Sequence, residues 1–173
     1  ATTLGGAIEL SNAADAATAI NLTVDPLAAG NAGNISYVQS NAFALTVTNA
    51  TTLTASNITI SNAASSIDIV NIDANTLYTG TGVVTLTAGG LISSSGAGAD
   101  DISGSVLTIT AATDAGVDAG ADNLVDATWL DTEVTDLNIA ATANAWIDEV
   151  SGINALDVTV TTNLGIDAGG RVA

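Results

Sequence analysis

Short stretches in which an aliphatic residue alternates with a polar one recur along the whole chain. The clearest are 7–10, 20–24, 34–38, 44–47, 57–60, 67–70, 83–87, 106–110, 137–140, 146–149 and 155–160. A period of two marks a strand with one face inside and one in water. Gly, Asn, Ser, Ala and Asp punctuate the stretches, as turns require. No long segment keeps a helical period. The nearest, 12–20, is Ala-rich without an apolar stripe and supports at most one helical turn. The pattern predicts an all-β chain of many short strands.

Part of the pattern repeats. Leu107, Ile109, Asp114, Val117 and Asp118 recur as Leu156, Val158, Asn163, Ile166 and Asp167, and more loosely as Leu137, Ile139, Asn144, Ile147 and Asp148. The unit reads as strand, polar corner, strand. Its copies start 30 and 19 residues apart, so the turns differ in length. The segment 121–136 is the natural inserted loop. One such unit cannot bury its aliphatic side alone. Stacking in parallel solves this, because each strand then finds backbone partners in the next unit and like side chains align. The expected fold is a parallel β-helix (β-solenoid) with irregular coils, one segment spanning 1–173. At roughly 20–25 residues per coil and about 4.8 Å per layer it would make some seven to nine coils. An antiparallel sandwich is the competing fold, but the Asn-Gly and Asp-Gly dipeptides of tight hairpins are missing.

Residues 84–93 (Val84 to Ser93), 107–111, 117–126, 137–141 and 146–153 resemble the repeat region of filamentous haemagglutinin-type exoproteins. The likeness covers roughly residues 80–170 and extends to 1–80 only in style. It implies a right-handed parallel β-helix, export from a Gram-negative-type cell, and adhesive or scaffolding work. The handedness also agrees with the general chirality of parallel crossovers.

Composition narrows the partners. Of 173 residues, 47% are hydrophobic but only 3% aromatic, with one Pro and no Met, which suits narrow layered interiors. Asp plus Glu number 18 against a single cation, Arg171, for a net charge of −17. Such a surface repels nucleic acid and anionic lipid. No Cys is present, which excludes disulfides and thiolate metal sites. No apolar run is long enough to span a bilayer as a helix. No signal peptide is visible, and the chain reads as a processed or excerpted portion of a longer repeat protein.

Catalytic chemistry finds little to use. Without His, a Ser-centred triad has no usual base. Ser93, Ser94 and Ser95 read as a loop. The run from Gly96 to Asp100 lacks the Lys of a phosphate-binding loop. A polysaccharide lyase would need a base, and only Arg171 is available. A hydrolase could use Asp100/Asp101, Asp114/Asp118 or Asp148/Glu149, but neighbouring strand residues face opposite ways. Sugar-stacking aromatics are few: Tyr37, Phe43, Tyr78, Trp129 and Trp146. The expectation is no enzyme, with no catalytic or cofactor-binding residues. Calcium is the more serious possibility, because Asp118, Asp148 and Asp167 share one position in the three copies and stacking would set carboxylates a layer apart. The alternative is a solvated acidic edge. Trp146 stands where the other copies have Gly116 and Gly165, and is expected to pack over a corner or against the inserted loop. Thr-x-Thr at 46–48, 85–87 and 108–110 is too scattered for an ice-binding array. The expected function is a secreted bacterial structural or adhesive solenoid, extracellular or on the cell surface. Its partners would be other copies of itself or the rest of a longer chain, and cell-surface glycans. A calcium- or glycan-binding surface module is the alternative, and a carbohydrate hydrolase comes third.

Overall fold

A computed structural model describes residues 2–4, 7–11, 17–25, 33–52, 56–74, 82–96, 101–120 and 128–173. The described residues hold seventeen strands and no helix. One sheet, A, contains β1 (Thr2–Leu4), β3 (Ala19–Asp25), β5 (Leu45–Thr52), β7 (Ile67–Ile69), β8 (Ile72–Asp73), β10 (Ile92–Ser94), β11 (Ile102–Ser103), β13 (Leu130–Glu133), β15 (Ala145–Glu149) and β17 (Leu164–Ala168). The other, B, contains β2 (Ile8–Ser11), β4 (Ile35–Gln39), β6 (Ile58–Asn62), β9 (Val83–Ala88), β12 (Val106–Ala111), β14 (Asp136–Ala141) and β16 (Ala155–Thr159). The chain visits the sheets in turn, and every strand pairing is parallel. This arrangement is compatible with a β-solenoid.

Register follows from the aliphatic pattern. In sheet B, Ile8, Ile35, Ile58, Val84, Leu107, Leu137 and Leu156 are successive partners, at intervals of 27, 23, 26, 23, 30 and 19 residues. The three copies read from the sequence therefore lie in direct register. A one-residue slip would turn every one of these side chains to water. Ile35, Ile58, Val84, Leu107 and Leu137 are essentially sealed. Each such burial contributes about 1.5–3 kcal/mol.

Where the wall turns, buried amides answer the turn carbonyls. Gln39 Nε2 donates to the Phe43 carbonyl (3.1 Å), and Asn62 Nδ2 donates to the carbonyls of Phe43 (3.0 Å) and Ser66 (2.9 Å). In the next layers the same column becomes Ala88, Ala111 and Ala141.

Three local expectations change. Ser93 and Ser94 belong to strand β10 rather than a loop. Of the segment 12–20, residues 19–20 open strand β3, and 12–16 lie outside the described residues. The segment 121–136 is not an insertion throughout, because Leu130–Glu133 is strand β13 of sheet A. Val117 N donates to the Thr128 carbonyl (3.0 Å), and Thr128 Oγ1 donates back to the Val117 carbonyl (2.7 Å).

The last layer differs from the interior. Strands β16 and β17 each pair on one side only. Leu156, Val158 and Ile166 continue the inner columns but are only half-buried, and Leu164 is 48% exposed.

Candidate functional site

The repeated Asp/Asn of the sequence motif has a physical role. Asn144 Nδ2 donates to Asp114 Oδ1 (2.6 Å), and Asn163 Nδ2 donates to Asn144 Oδ1 (2.9 Å). The Asn144 backbone N–H also reaches Asp114 Oδ1 (3.0 Å). The motif position is thus a side-chain ladder that holds three corners in register.

A second polar column runs along sheet A. Its members are Asn21, Asn49, Asn71, Asp101, Asp131, Asp148 and Asp167. They follow from the register of the strands they belong to or immediately precede. In the amide part, Asn71 Nδ2 donates to Asn49 Oδ1 (2.8 Å). Asn49 Nδ2 donates in turn to the Leu22 carbonyl (3.2 Å) and Thr23 Oγ1 (3.1 Å). In the acidic part, Asp131, Asp148 and Asp167 occupy consecutive layers, while Asp101 is buried and accepts from the Ser94 hydroxyl.

This alters the aspartate set read from the repeat. Asp148 and Asp167 are register partners, as expected. Asp118 is not in their column, and Asp131 takes its place. The chain leaves the sheet at Gly116, whose φ is +79°, and the spot a side chain would fill there is occupied by the Trp146 carbonyl. Only glycine fits such a position. The chain rejoins sheet A through Leu130 and Asp131, the same apolar-Asp pair as Ile147–Asp148 and Ile166–Asp167. That pair was the signal for the true member. Among the described residues no group of three or more His, Cys, Asp or Glu is placed to hold a metal ion.

Of the carboxylate pairs weighed for hydrolysis, Asp148 and Glu149 diverge. Asp148 faces outward, whereas Glu149 is fully buried. Glu149 Oε2 accepts from Thr132 Oγ1 (2.8 Å) and the Val134 N–H (3.0 Å); Oε1 accepts from Ser151 Oγ (2.8 Å) and the Ser151 N–H (3.0 Å). It ties a corner together. Asp114 is engaged with Asn144. Asp100 and Tyr78 lie outside the described residues, as do 97–99 of the Gly-rich run.

The tryptophans pack. Trp129 and Trp146 are both buried, with ring centroids 5.3 Å apart and planes tilted by 39°. Trp146 lies over Gly165, where a side chain would strike its six-membered ring. Tyr37 is buried and its hydroxyl donates to Gln39 Oε1 (2.9 Å), whereas Phe43 is 55% exposed.

Among the described residues a concave surface lies elsewhere, on the outer face of sheet B. Thr110, Ala140 and Thr159 share one outward column, and Thr108, Asn138 and Asp157 share the next. Ala140 is exposed between two threonines, and its missing side-chain atoms leave a notch. A shallow open groove of about 170 Å³ borders it, lined by all six of these residues. A second depression begins at the same notch and runs over Ala88, Ala112 and Thr161. The groove offers hydroxyl, amide and carboxylate groups, and the second depression sets alanine methyls among threonine hydroxyls. No sequence reading singled out this place, because only register brings the six residues together.

No protein-family model, no curated protein and no solved structure matches this chain.

Proposed function

We propose that this protein is a stretch of right-handed β-solenoid with a structural and adhesive role outside the cell or on its surface, and that it is not an enzyme. The observation behind this reading is the parallel register of sheet B. Seven strands of sheet B follow one another in one direction, with aliphatic on aliphatic inside and amide on amide at the corners. Such a stack distributes load over many backbone hydrogen bonds, and its outer faces repeat polar side chains at each layer. The likeness to filamentous haemagglutinin-type repeats agrees with this role and with bacterial secretion. Asp148 and Glu149 face opposite ways and Glu149 is engaged in a corner, which favours the non-enzymatic reading for that pair.

Electron cryo-microscopy of the native material tests the proposal. Filaments with an axial layer spacing of about 4.8 Å are expected. Compact separate particles with no axial repeat would overturn the fibre reading.

A further inference from the structure

The notch at Ala140 is a site-like feature of the described surface. Its chemistry can be read from what its walls lack. It lies on a sheet face, where β12 and β14 pair on both sides and β16, among the described residues, pairs with β14 alone. A peptide strand could add only along the outer edge of β16, whereas on the face itself no backbone ladder is open. Recognition must come from the side chains: the Thr108, Thr110 and Thr159 hydroxyls, the Asn138 amide and the Asp157 carboxylate. These stand about 4.8 Å apart from layer to layer and about 6.6 Å apart along a strand. A ligand that satisfies them carries several hydroxyls of its own. The adjoining depression adds the exposed methyls of Ala140 and Ala112, which suit a C–H face, beside the Thr142 and Thr161 hydroxyls. Charge removes anionic ligands, because Asp157 sits in the groove and the chain carries −17 overall.

We infer that this groove is a binding site for an uncharged saccharide. The hydroxyl edge of the sugar ring would face Asn138 and Asp157, and its C–H face would rest on the alanine methyls. The Asn138 amide both donates and accepts, and Asp157 accepts only, a pairing suited to neighbouring hydroxyls. No aromatic ring lines the groove, so single-site affinity is weak, with Kd on the order of 1 mM. Repetition along a fibre would raise it through multivalency. This inference rests on the adhesive reading by naming its target.

The experiment is a ¹H–¹⁵N titration of the full chain with neutral oligosaccharides of hexose and N-acetylhexosamine units, and with sialylated ones in parallel. The neutral set is expected to shift residues 108–110, 138–140 and 157–159, and the sialylated set to shift nothing. Ala140→Thr refills the notch with the residue already present one layer away on either side, so the backbone accommodates it. It should weaken binding at least tenfold and leave the fold's spectrum unchanged. Asp157→Asn should also weaken binding. Absence of shifts with every neutral sugar, shifts confined to other residues, preference for the sialylated set, or equal binding by the Ala140→Thr variant would each overturn the inference. Filament imaging is a separate readout. Compact particles that still bind sugar would sink the fibre and leave the site; filaments that bind none would do the reverse.

Discussion

The polar column of sheet A is built in two chemistries. In its first part, Asn21, Asn49 and Asn71 stack; in its second, Asp131, Asp148 and Asp167 stack in the same position of later layers. A carboxamide is both donor and acceptor, so each layer can bind the next, as Asn71 binds Asn49 at 2.8 Å. A carboxylate only accepts, so two in adjacent layers cannot hydrogen-bond each other and repel. The acidic part must find its donors elsewhere. Glu149 shows the solution inside the wall, where two backbone N–H groups and two hydroxyls converge on one carboxylate. One column thus joins a self-sufficient ladder to a dependent one.

Glu149→Gln should have the largest effect. Whichever way the new amide turns, its NH2 faces a backbone N–H, either that of Val134 or that of Ser151. Stranding a buried donor costs about 2–3 kcal/mol, which urea unfolding would register as a lower midpoint with an unchanged slope. A loss under 0.5 kcal/mol would mean that the corner does not depend on the carboxylate. Asn49→Asp comes next. It brings the chemistry of the later layers into the amide ladder and removes the donations to the Leu22 carbonyl and Thr23. The expected loss is about 1–2 kcal/mol. No loss would show that the ladder is decorative and would erase the distinction between the two parts.

The sequence revealed the layers better than their seams. All eleven period-two stretches coincide with strands, and the pairing of Leu107, Leu137 and Leu156 was legible because the spacing from Leu to the corner Asp/Asn is constant. Strands such as Ile72–Asp73 and Ile102–Ser103 were invisible because two residues show no period. Leu164–Ala168 was legible only as the second strand of the repeat, because Gly165, beside the Trp146 ring, interrupts its own alternation. Asp118 was misplaced because repeat alignment assumes that equal offset means equal position. The reversal at Gly116 sends the chain out of the sheet just before it. The Ala140 groove was illegible for a similar reason: residues 108, 138 and 157 have no constant spacing and meet only through register.

The smallest effect tests the acidic part directly. Asp148 has a like charge in the layer on each side, Asp131 and Asp167, so Asp148→Asn removes two repulsions and supplies a donor. Exposed like-charge contacts in sheets are worth a few tenths to about 1 kcal/mol, so the variant should be more stable by about 0.5 kcal/mol at low salt. Added salt should narrow that gap by raising the parent's midpoint more than the variant's, because screening acts on the same repulsion. Chelator at constant ionic strength separates screening from a bound cation. If repulsion alone is present, EDTA leaves the parent's midpoint where it was. A fall with EDTA that disappears in Asp148→Asn would mean that the carboxylates have already found their donor substitute in a divalent ion, and that the dependent half of the column is held by metal as the first half is held by amides.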